Sequence, residues 1–140
     1  MINSNKLEDL HPLVKLMAEE FLKRCAEQSI KVKITSTFRD IESQNALYAQ
    51  GRTTSGKIVT NAKGGQSMHN FRLALDFVPL DNSGNPIWDG NNPLYKTLGD
   101  IGKSCGFEWG GDFTHFVDKP HLQYTQGISL SELRDGKMIK

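Results

Sequence analysis

The chain has 140 residues, with 17 lysines and arginines against 16 aspartates and glutamates and a formal net charge of +1. That length implies one domain, burying roughly 70% of the surface its unfolded chain exposes. The interspersed charges exclude the basic stripe of a nucleic-acid binder, and no apolar run approaches the roughly 20 residues of a membrane span.

The N-terminal run Met1 to Lys6 lacks the apolar stretch of a signal peptide. Synthesis in the cytoplasm without stable membrane association is the expectation. The two cysteines, Cys25 and Cys105, belong to no Cys-x-x-Cys pair. Two buried free thiols are expected.

Leu10, Leu13, Val14, Met17, Phe21, Leu22 and Cys25 recur at three- and four-residue steps and predict an amphipathic helix from about 8 to 28. Lys31 to Ser36 alternates polar and apolar and predicts a strand. Asp40 then caps a second helix, Ile41 to Gln50, which Gly51 ends. Residues 51 to 66 are rich in Gly, Thr, Ser and Lys. They are expected to form an ordered surface loop, because loops longer than about 12–15 residues in compact domains tend to be functional.

Leu73 to Val78 predicts a buried strand stopped by Pro79, and residues 81 to 86 carry dense turn chemistry. Pro93 to Cys105 predicts a third helix closed by Gly106. Pro120 to Tyr124 reads as a short last strand and Ser129 to Arg134 as a terminal helical turn. The expected fold class is α+β, with helices packed on a small antiparallel sheet.

The chemistry gathers in two short stretches. Ser67 to Asp76 contains His69 and Asp76, and Asp118-Lys119-Pro120-His121 ends on a second histidine. Two imidazoles and one carboxylate form a zinc ligand set with a position left open, as catalytic sites require. Asp118 is then placed to take a proton from a water there.

Each residue also has a plainer reading. Asp76 shares a strand face with Ala74 and Val78, and burial among them is expensive unless something pairs with it. A loop or an arginine would serve as well as a metal. His11 reads as structural or surface. Asp112 and His115 repeat the spacing of Asp118 and His121, and the residues alone do not choose between the two pairs. Arg39 lies between a strand and a helix, where its planar fork suits a carboxylate or an oxyanion. A surface ion pair is the alternative.

Taken together these residues resemble a known family. Ser-x-His-x-x-x-x-Ala-x-Asp over Ser67 to Asp76, followed by Asp118-Lys119-Pro120-His121, is similar to the zinc peptidases that include D-alanyl-D-alanine carboxypeptidases and dipeptidases and the L-alanyl-D-glutamate endopeptidases of phage endolysins. Ser36-Thr37-Phe38-Arg39 with Gln44, Leu47 and Tyr48 resembles the family's arginine segment. Gly51-Arg52-Thr53, Val59-Thr60-Asn61-Ala62, Gly65-Gln66-Ser67 and Phe107 to Phe113 look like the endolysin branch. The likeness covers about residues 31 to 125.

The resemblance implies a hedgehog/DD-peptidase-like fold and one zinc ion held by His69, Asp76 and His121. It implies Asp118 as general base and Arg39 at the carbonyl oxygen or anchoring the substrate. Ser67 and Gln44 are implied on the substrate side, and His115 falls outside the metal motif but within reach of the cleft. Two positions depart from the pattern. Arg72 and Thr37 stand where the family usually carries Gly, and the Arg72 side chain is expected to point to solvent or substrate.

The expected activity is hydrolysis of peptidoglycan stem peptides at the L-alanyl-D-glutamate bond. The expected actor is a monomeric endolysin without a wall-binding module, released to the wall by a holin-type permeabilising protein. The alternatives are a D-alanyl-D-alanine carboxypeptidase or dipeptidase, and a non-catalytic zinc-containing binding module of the same fold.

Overall fold

A computed structural model describes residues 1–140. Helix α1 spans Pro12–Glu27, starting later than the periodicity suggests. The delay has a local cause. Pro12 suits a first helical position, and the His11 Nδ1 accepts from the Leu13 N–H at 3.1 Å, so His11 is the cap. The preceding residues Leu7–Asp9 form a separate tight turn. Helix α2 spans Ile41–Ala49, with the Asp40 carboxylate accepting from the Ser43 N–H at 2.8 Å. Helix α3 spans Leu94–Ser104, and α4 spans Leu130–Arg134 under a Ser129–Glu132 capping box.

The strands are β1 (Val32–Ser36), β2 (Ala74–Pro79), β3 (Glu108–Trp109) and β4 (His121–Gln123). They form one antiparallel sheet in the order β1-β2-β4-β3. Strand β3 was absent from the sequence expectation. Two residues show no period, and only pairing with β4 defines them. The sheet with its packed helices is the expected α+β architecture. No helix is long and apolar enough to cross a membrane.

Alternation along β2 decides which face meets which layer. Leu73, Leu75 and Phe77 enter the core with Val14, Ala18 and Phe21 of α1 and Leu98 and Ile101 of α3. The rings of Phe21 and Phe77 lie 5.8 Å apart. Asp76 therefore faces the other way, into a cleft. Helix α3 gives up intrinsic stability at Gly99. A Cβ there would collide with the Trp109 indole, so glycine sets how closely α3 lies on β3.

Both cysteines are free. Cys25 is fully buried, and removal from water pushes its thiol up to about 11. Cys105 is only half-buried, because it caps the exposed end of α3.

Candidate active site

The sheet itself assembles the first half of the site. In the β2–β4 register Asp76 stands directly opposite His121, so strand pairing alone brings the carboxylate and one imidazole together. His69 arrives from the tight helical turn Met68–Phe71, which the Ser67 hydroxyl caps by accepting from the His69 N–H at 3.3 Å. The His69 Nε2 and the His121 Nδ1 approach the same Asp76 oxygen, at 3.1 and 3.2 Å. The three donor atoms lie within 4.8 Å of one another.

The remaining ring nitrogens are already used. The His69 Nδ1 lies 2.8 Å from the Thr37 carbonyl, which can only accept, so that nitrogen carries the hydrogen. The His121 Nε2 lies 2.8 Å from the Gln123 Oε1, and the Gln123 amide nitrogen turns toward Glu108 at 3.4 Å. Both imidazoles in their neutral form thus aim lone pairs at an anionic oxygen. Lone pairs converging on a carboxylate repel unless protons or a cation lie between them. The two nitrogens and one oxygen suit a divalent ion that accepts imidazole and carboxylate, and the outer hydrogen bonds are of the kind that orient metal-binding histidines.

The electrostatics carry the same conclusion. Burial opposes ionisation of Asp76, but the two imidazoles outweigh it and hold the carboxyl well below the usual carboxylate range. Burial likewise opposes the charged form of His121, and the hydrogen bond and charge of Asp76 reverse it and raise its pKa. The cluster as folded demands positive charge.

Asp118 sits beside these three without joining them. Its carboxylate is 3.7 Å from the His121 Nδ1, and its side chain is 51% exposed. Removal from water at the cleft wall, with the negative charge of Asp76, pushes its carboxyl above the ordinary value against the pull of His121. Its backbone is anchored, since its N–H donates to the Gly110 carbonyl at 2.9 Å. The Gly110 position is a close approach, because a Cβ there would strike the Asp118 carbonyl oxygen.

Arg39 leaves the end of β1 after a bulge between Ile34 and Ser36, a feature that re-aims side chains beside sites. The guanidinium is half-buried, and its partners are neutral. It donates to the Gln44 Oε1 at 2.9 Å and the Ser36 Oγ at 3.1 Å. The surface ion pair considered from sequence is not formed. Burial lowers the pKa of the guanidinium, and the charges of Asp76 and Asp118 oppose that.

One sequence reading is corrected by this geometry. Gln44 does not face the cleft. It is fully buried, with its oxygen on Arg39 and its nitrogen donating to the Ala62 carbonyl at 2.8 Å. Gln44→Leu is expected to keep its metal yet lose about 1–3 kcal/mol of stability, because both partners lose their bonds. Denaturant midpoint and metal content together check this, and an unchanged midpoint would show the bonds to be dispensable.

Arg72 does adopt positive φ, at 66°. Its side chain is exposed at the surface and stays out of the cleft. It lies over the Phe38 ring at 3.8 Å and donates to the Asp9 carbonyl at 2.7 Å, contacts that offset the backbone cost. Ser67 lines the cleft and spends its hydroxyl on the cap. His115 lines the cleft outside the three-residue cluster.

The segment 51 to 66 is ordered, as expected. Gln44 holds it at Ala62, Asn45 at the Gly64 N–H, and Arg134 at the Gly65 carbonyl. Sequence reasoning missed Asn3, which lines the cleft from the N-terminal segment bridged to Arg39. No local pattern signals that pairing. It missed the Thr37 carbonyl for the same reason. Gln123 was visible as the strand neighbour two residues from His121.

A model of the family described as D-alanyl-D-alanine carboxypeptidase matches residues 60–124. The chain is 45% identical over 123 residues to the peptidoglycan L-alanyl-D-glutamate endopeptidase CwlK of Bacillus subtilis (strain 168), covering 82% of this chain and 73% of that one. It is 33% identical over 127 residues to the L-alanyl-D-glutamate peptidase of Listeria phage A118, covering 89% of this chain and 40% of the phage protein. The fold matches the crystal structure of the Serratia marcescens L-Ala D-Glu endopeptidase ChiX with a TM-score of 0.63 at 20% identity, over 85% of this chain and 83% of that one. From this similarity along most of its length, the chain belongs to the D-alanyl-D-alanine carboxypeptidase-like peptidase family, in its L-alanyl-D-glutamate endopeptidase branch.

Proposed function

We propose that the protein is a zinc peptidase that hydrolyses peptidoglycan stem peptides between L-alanine and D-glutamate. The observation that carries the proposal is the converging donor set of His69, Asp76 and His121 with Asp118 poised 3.7 Å from His121 and half in water. The names of the two sequence relatives, a bacterial and a phage enzyme, support the scissile bond. The phage relative also supports an endolysin role, in which a permeabilising protein gives access to the wall.

In this reading His69, Asp76 and His121 hold the zinc ion. When bound, the ion polarises a carbonyl and eases ionisation of water. Asp118 takes the proton of the attacking water and returns it to the leaving amine. Its raised pKa suits both transfers, since a base nearer neutrality gives the proton back more readily. Arg39 donates to the carbonyl oxygen as negative charge grows there, from a position already set by Gln44 and Ser36. Ser67 and His115 line the approach.

The test is end-group analysis of digested wall. New D-glutamate amino groups and new L-alanine carboxyl groups are expected, without free D-alanine. Release of D-alanine or its dipeptide as the main product would instead assign the carboxypeptidase activity for which the family model is described.

A further inference from the structure

The cleft that holds the cluster runs on into a second concavity of about 570 Å³. The two share Val59, Thr60, Ala62, Gln66, Phe116 and Asp118, so the concavity begins at the proposed base. One wall is the loop from Val59 to Gln66 and the other is Phe116 to Asp118. Apart from Asp118 its lining is uncharged. Arg39 is the one lysine or arginine side chain lining the neighbouring cleft.

The apolar part of this lining is held in water. Val59 and Val117 are each 58% exposed and Phe116 is 78% exposed. Phe116 also has φ of 56°, a region that bulky residues rarely occupy. A strained backbone here keeps a large ring at the rim of a cleft and out of the core. Apolar concave surface with a few polar groups is what ligand sites offer.

The two sides of the proposed scissile bond differ in charge. The acyl side ends in an alanyl residue with a methyl group and a neutral amide. The leaving side carries the glutamyl carboxylate. Asp118 borders both spaces and Asp76 lies in the neighbouring cleft, so what distinguishes them for an anion is Arg39, which lines the cleft and not the concavity. A methyl group finds the opposite preference.

We propose that the concavity between Val59 and Phe116 is the subsite for the alanyl, acyl side of the substrate. Phe116 and Val59 are its specificity-determining side chains, and the acidic leaving side is directed along Arg39. The assignment rests on the L-alanyl-D-glutamate reading above.

The test compares kcat/KM of the zinc-loaded full chain on two soluble peptides, N-acetyl-L-alanyl-γ-D-glutamyl-L-lysine and its glycyl counterpart. The unaltered chain is expected to favour the alanyl peptide by about 10-fold, the low end of what one methyl group is worth in an apolar site, because these walls are partly in water. Phe116→Ser and Val59→Ser should each cut that preference to roughly 2- to 3-fold, mainly through KM for the alanyl peptide. Phe116→Gly should lose the same discrimination while melting at or above the unaltered chain, because glycine accepts the positive φ. Equal losses on both peptides, full preference in both serine variants, or a lower melting temperature in Phe116→Gly would overturn the subsite. Cleavage of neither peptide by the unaltered chain would overturn the functional reading itself, a different result from cleavage without preference.

Discussion

Asp118→Asn is expected to retain its zinc and its melting temperature and to lose nearly all activity on cell wall. Asparagine preserves the volume and the backbone bond to Gly110, so the fold has no reason to change. Its amide cannot take a proton as a carboxylate does. General acid–base catalysis typically contributes about 10²–10⁴-fold, and both proton transfers pass through this residue in the proposed scheme. His121→Ala is the contrasting variant. It removes one of the three converging donors and leaves Asp76 with a single imidazole. Metal binding and folding are coupled, so zinc content, melting temperature and activity should fall together. A chelator should lower the melting temperature of the unaltered chain and of Asp118→Asn, and leave His121→Ala unmoved. Loss of zinc from Asp118→Asn would make Asp118 a ligand, and the scheme would need another base.

The second large effect belongs to Arg39. Arg39→Ala should bind zinc normally, since the guanidinium touches Gln44 and Ser36 and none of the three converging donors. Its turnover should drop about 10²–10³-fold, the usual cost of losing one donor to a developing oxyanion, which is about 2.7–4 kcal/mol of barrier. Arg39→Lys should recover little. A lysine amine cannot reach Gln44, Ser36 and a substrate oxygen at once, because it is a point charge and lacks the fork. Steady-state kinetics with metal analysis on both variants checks this. Near-normal turnover in Arg39→Ala would remove the residue from the chemistry and leave it a structural link between β1 and α2.

The tautomers of the two histidines explain why these variants should separate cleanly. Thr37 and Gln123 fix the outer nitrogens, so the inner ones face the cluster whatever happens at Asp118 or Arg39. Neither carries a hydrogen in the neutral ring, so both lone pairs point at Asp76, where the proposed ion would be held.

Much of this was legible in the residues. Helical and strand periods placed α1, α2, α3, β1 and β2, because each element buries one face and the period records which. The short motifs around His69, Asp76, Asp118 and His121, joined to the resemblance, named the residues that the fold gathers. Cap chemistry marked Asp40, whose side-chain oxygen bonds a free N–H group in the first turn of its helix.

Tertiary structure decided the rest. Spacing alone did not distinguish His121 from His115, and it is the β2–β4 register that sets His121 opposite Asp76. The resemblance of the arginine segment put Gln44 on the substrate side, and burial makes it instead the peg between Arg39 and the loop at Ala62. Arg72 was expected toward solvent or substrate and is exposed, but its contacts with Phe38 and Asp9 form only on folding. Strand β3 and the Asn3 bridge have no periodic signature at all. Local sequence records what a residue buries and how its backbone turns. The partner it meets across the sheet or the cleft depends on register and packing, which only the folded chain as a whole determines.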